Sequence, residues 1–137
     1  MFKTILAMFN KKAMLETGVT SMGGFAPVAV VLLRDHTVDG VFKILKTLPS
    51  GIIISGILKM IFKKAINAFA QTMREKGEPY LMNTIALIWR DKDVSLDSLR
   101  GGINKMPDLC VKADVKKEAM LLVDKYHSAV EIENVTQ

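Results

Sequence analysis

One cysteine, two histidines, four arginines and one tryptophan are all that this chain of 137 residues has of the side chains most often recruited for chemistry or for gripping nucleic acid. Each scarcity excludes something. With Cys110 alone no internal disulfide can form, so nothing points to an oxidising compartment, and a cytoplasmic or membrane-associated location is expected. His36 and His127 stand 91 positions apart, without the close His, Cys or carboxylate spacing that a metal site requires. His36 lies between Asp35 and Asp39, and Cys110 follows Asp108, yet neither has the sequence-local base, orienting group or nucleophile from which catalysis is built. The stretch Gly18 to Phe25 has the glycines of a phosphate loop but puts Gly24 and Phe25 where Lys and Ser/Thr would contact phosphate and magnesium. No enzyme, cofactor, metal or small-molecule substrate is therefore expected.

A secretion signal is missing as well. The opening MFKTILAMF is apolar only briefly before Asn10, Lys11 and Lys12, so no cleavable signal peptide is read there. Nor is there an uninterrupted apolar run of membrane-spanning length. Thr47 to Leu58 is uncharged for twelve residues, where about 20 are needed to cross a bilayer.

What is present is hydrophobicity combined with positive charge. Half of the residues are hydrophobic, the mean hydropathy is +0.24, and the formal net charge is +5. The charge is unevenly placed: residues 1–76 hold eleven Lys/Arg against four acids, and residues 77–137 hold eight against ten. One helical domain over 1–137 is expected, with a basic apolar half and a mildly acidic half. Basic and apolar residues in one half point to a membrane surface or an assembly interface before nucleic acid.

Helical spacing dominates. Phe2, Ile5, Leu6, Phe9 and Ala13 share a face of a first helix that Gly18 is expected to stop. Gly23, Gly24 and Pro27 read as turn material, leaving Val28 to Leu33 as a short apolar run that is either a buried strand or a helix, with helix favoured for want of a second strand. Val38, Val41, Phe42, Leu45 and Leu48 make a helix ended by Pro49. Ser50 opens the longest one, over 52–76, stopped by Gly77. Further helices are predicted from Pro79 to Trp89, from a Ser95 cap to Arg100 with Gly101-Gly102 as the break, and from Asp114 to about Ala129, with a loosely held tail after it. The fold class is all-α, a compact bundle of about five to six helices, with a strand at 28–33 as the one alternative.

The 52–76 helix carries the functional expectation. Ser55, Lys59, Lys63, Asn67 and Gln71 form a narrow polar stripe, and most other positions on its first turns are apolar. A helix apolar over most of its circumference is buried in a bundle, in an oligomer or against lipid. The expected function is a non-enzymatic structural or interaction subunit, a homo-oligomer or one of several protein subunits, whose contact is made by Ile53, Ile57, Met60 and Ile61. The alternatives are a small membrane-active or membrane-anchored protein of pore or lysis type, and a basic nucleic-acid binder. In either, Lys59, Lys63 and Lys64 would meet headgroups or phosphates, although sparse arginine and the lack of interleaved aromatics weaken the nucleic-acid reading. A short chain without motifs also suits a viral or mobile-element source.

Overall fold

The computed structural model describes residues 11–46 and 56–136, with side chains over 12–44 and 59–129. Among the described residues there are seven helices and no strand: α1 (Lys11–Met22), α2 (Phe25–Leu33), α3 (Val38–Lys46), α4 (Gly56–Lys76), α5 (Glu78–Asp91), α6 (Leu96–Asn104) and α7 (Ala113–Thr136). The all-α class is as expected, with a helix count above the five to six read from pattern. The apolar residues 2–9 and the 47–55 link, including Pro49, Ser50 and the predicted start at 52, lie outside the described residues.

The run at 28–33 is helix, not strand. Pro27 falls in the first turn of α2, where backbone N–H groups have no intrahelical acceptor, so its missing donor costs nothing and its fixed φ suits the helix. The helix closes its own backbone hydrogen bonds, which a strand without an extended neighbour could not do. No residue of Phe-Ala-Pro-Val-Ala-Val-Val-Leu-Leu is polar, and α2 accordingly sits at the centre, packed by α1, α3, α4, α6 and α7. Ala26 through Leu32 are all buried. Full burial of side chains such as Val28 and Val30 stabilises by about 2 kcal/mol each.

Two expected helix breaks are instead close contacts. Gly18 does not end α1, which continues to Met22, because the missing side chain lets α1 cross α4 at Ala65, and a methyl at Gly18 would overlap the Ala65 Cβ. Likewise α6 runs through Gly101-Gly102 to Asn104. The backbones of Gly24 and Gly102 approach each other there, and a Cβ on Gly24 would lie 3.0 Å from the Leu99 carbonyl oxygen and 3.1 Å from the Ile103 nitrogen. The phosphate-loop-like stretch is therefore mostly helix, with its last glycine used for packing. At the other end α7 extends to Thr136, beyond the expected stop near Ala129.

The true boundaries follow local chemistry. The Thr37 hydroxyl accepts from Gly40 N at 3.1 Å and starts α3, and Ser95 accepts from Ser98 N at 3.1 Å and starts α6. Gly77, at φ 93°, takes a backbone conformation unfavourable to other residues and turns α4 directly into α5. One continuous core runs from Met14 to Tyr126. Trp89 and Phe69 are its largest fully buried members, and the Trp89 indole N–H has no acceptor among the described residues.

Arg34 ties this core's ends together. Its Nε and Nη2 donate to the two Glu78 carboxylate oxygens at 2.7 and 3.0 Å, and its Nη1 donates to Glu118 at 3.3 Å, linking the end of α2 to α5 and α7. The hydrogen bonding of Arg34 to Glu78 chiefly raises the guanidinium above its ordinary pKa, with Glu118 adding to the effect and partial burial opposing it.

Candidate interaction surface

α4 has two unlike sides. Ile61, Phe62, Ala65, Ile66 and Phe69 point inward, where α1 lies along the helix. Lys59, Met60, Lys63, Lys64, Asn67 and Gln71 point outward. The spacing explains it: 59, 63, 67 and 71 recur every four residues and 60 and 64 flank them, so the side that α1 and α2 leave uncovered is the side with lysines.

α3 lies beside this outer face. Val41 is fully buried and Phe42 half-buried, which turns Asp39 and Lys43, one helical turn apart, outward. Between α3 and α4 is a cleft of ≈ 410 Å³ lined by Val38, Asp39, Met60, Lys63, Lys64 and Asn67. Lys63 Nζ stands 3.6 Å from Asp39 Oδ1, with the two side chains 57% and 75% exposed, so water screens the pair and it holds the cleft only weakly. Lys63 and Lys64 thus face the one carboxylate that lines the cleft, Lys59 stands on the same outer side of α4, and Met60, 47% exposed, supplies an apolar side chain among them.

Of the four residues expected to make the contact, Met60 and Ile61 have described side chains, and these two point different ways. Ile61 is 6% exposed and belongs to the chain's own core. Met60 is available at the surface. Ile53 lies outside the described residues, and of Ile57 only the backbone, in the first turn of α4, is described. The basic stripe fares differently: Lys59, Lys63 and Lys64 are all exposed and on one face. Sequence reasoning missed Asp39 and Val38 as cleft residues, since only the packing of α3 on α4 brings them there.

Other candidate chemistry is dispersed. His36 is exposed in the turn after α2, beside a cleft of ≈ 380 Å³ that also borders the start of α7 and carries charges of both signs. His127 is buried; its Nε2–H donates to the Val94 carbonyl at 2.9 Å, and its ring lies 6.3 Å from that of Trp89. Cys110 is half-buried against the core, as a small hydrophobe would be. Among the described residues no group of three His, Cys, Asp or Glu could hold a metal ion. A third cleft, of ≈ 230 Å³ between α1 and α5, is lined by Leu15, Leu87 and Ile88, and Lys92 pairs with its Glu16 at 3.0 Å.

Among the described residues no single helix is long and apolar enough to cross a membrane. α1 and α2 reach that composition only together, and they bend by 114° at the Gly23-Gly24 break. Comparison with protein-family models, curated proteins and solved structures finds no match for this chain.

Proposed function

We propose that the protein is a non-enzymatic interaction subunit that packs onto a partner through the lysine-rimmed cleft between α3 and α4. The observation that carries this reading is the exposed Met60 set among Lys59, Lys63 and Lys64 on the side of α4 turned away from the core. Tyr80, Leu87, Leu109 and Leu121 are also exposed, but scattered apolar residues are normal on a protein surface. None of them stands in a comparable field of one sign.

The same charge selects among partners. Two copies meeting through this face would bring their lysines together, and like charges juxtaposed across an interface cost several kcal/mol. A homo-oligomer would have to use another surface. The face suits an anionic partner, and Asp39 subtracts little from it.

Retention on an immobilised polyanion, heparin, tests the assignment with two variants of equal net charge. Lys59→Gln/Lys63→Gln/Lys64→Gln removes the face, whereas Lys105→Gln/Lys112→Gln/Lys117→Gln removes three exposed lysines elsewhere. The face variant is expected to elute at clearly lower salt and the other to stay close to the unmodified protein. An equal decrease for both would reduce the effect to net charge and sink the reading.

A further inference from the structure

We infer that the anionic partner of the α3–α4 face is a lipid surface, an inference that rests on the interaction reading above and names its partner. The face contains two ingredients in the arrangement that an interfacial contact uses. Lys63 and Lys64 line the cleft beside Asp39, Lys59 stands on the same side of α4, and a flexible apolar side chain, Met60, lies among them in a cleft that Val38 also lines. Lysine stems can lie along apolar surface while their heads reach headgroups, and a methionine adapts its shape to the acyl boundary. From Lys59 to Asn67 the outward face covers about 12 Å of helix.

The chemistry of the face also separates lipid from nucleic acid. Between Lys59 and Asn67 its cations are all lysine, point charges suited to a diffuse anionic field, and no exposed residue there is arginine or aromatic, Arg74 standing two turns further along α4. Nucleic-acid recognition draws on guanidinium forks for base edges and on aromatic rings for stacking. No insertion across the bilayer is required, since the inner side of α4 is taken up by the protein's own core.

The test is co-sedimentation of the full chain with vesicles of phosphatidylcholine alone or with about 30% phosphatidylserine, at about 0.1 M and about 0.5 M salt. Binding is expected only to the anionic vesicles and only at the lower salt. With about fivefold lost per lysine at an anionic surface, Lys59→Gln/Lys63→Gln/Lys64→Gln should bind about a hundredfold more weakly. The Lys105, Lys112 and Lys117 triple variant should bind as the unmodified protein does. Met60→Ser should weaken binding several-fold without changing its salt dependence, and thermal unfolding confirms that each variant is folded. Failure of the unmodified protein to bind the anionic vesicles overturns the inference, as does an equal loss in the two triple variants. If the vesicles are ignored while heparin retention still depends on the face lysines, the lipid partner is wrong and the interaction reading stands. If heparin retention does not depend on them either, both fall. Duplex DNA bound through the same lysines, with vesicles ignored, would give the face to nucleic acid.

Discussion

α2 and α4 are the two most instructive helices to set side by side, because both are rich in apolar residues and they meet opposite fates. α2 has no polar residue in nine, and five other helices close around it. α4 interrupts its apolar surface with a lysine, asparagine or glutamine at every fourth position, and the bundle leaves that stripe in water. The difference teaches that hydropathy sets how strongly a helix is drawn into the core, whereas the angular distribution of its few polar residues sets which side stays open. The open side of α4 is where a partner can be met.

The sharpest way to break the comparison is to put a charge into each helix. Val28→Asp places a carboxylate at a fully buried position of α2 whose neighbours three and four positions away, Gly24, Phe25, Val31 and Leu32, are all uncharged. The expected cost is about 5 kcal/mol, comparable to the whole stability of a domain this size, so the variant should lack a cooperative thermal transition by circular dichroism. A cooperative transition close to that of the unmodified chain would show that α2 is not closed off by its neighbours.

Much of this contrast was legible in the sequence, and what was not has physical causes. Gly77, Ser95 and Pro79 marked true helix ends because capping and φ restrictions act within a few residues. Gly18 and Gly102 were misread as breaks because their role is to admit Ala65 and Gly24, partners 47 and 78 positions away. Around α4 nearly every early position is apolar, so periodicity could find the lysine stripe yet could not tell Met60, outside, from Ile61, inside. The Arg34 bonds to Glu78 and Glu118 span 44 and 84 residues and left no local signal.

A smaller effect is expected where α1 crosses α4. Gly18→Ala forces a methyl against Ala65 and should destabilise by about 2 kcal/mol through overpacking. Combining it with Ala65→Gly should recover part of that loss, giving a coupling of about 1 kcal/mol in a double-mutant cycle followed by urea unfolding. Strict additivity of the two substitutions would mean that the crossing is not limited by that contact.

Smaller again is the Arg34 clamp at the end of α2. The guanidinium and its two carboxylates are partly exposed, with side-chain exposures of 34%, 24% and 49%, so solvent discounts a pair whose bidentate geometry is otherwise good. Arg34→Ala is expected to cost about 1 kcal/mol, and about 1 M salt should reduce the difference between the variant and the unmodified protein. Arg34→Lys should recover only part of the loss, since an ammonium cannot reproduce the fork on Glu78. Full recovery by lysine would show that charge alone matters at this position.

The smallest stability change belongs to Met60, next to one of the larger ones. Ile61→Ala removes a core side chain and is expected to cost about 3 kcal/mol. Met60→Ser, one residue earlier on the same helix, alters a side chain that is 47% exposed and should change unfolding free energy by no more than about 0.5 kcal/mol. A loss at Met60 as large as that at Ile61 would instead make Met60 a core residue and close the open side of α4. A near-zero loss, accompanied by weaker binding to anionic vesicles, would separate what α4 does for the fold from what its outer face does for a partner.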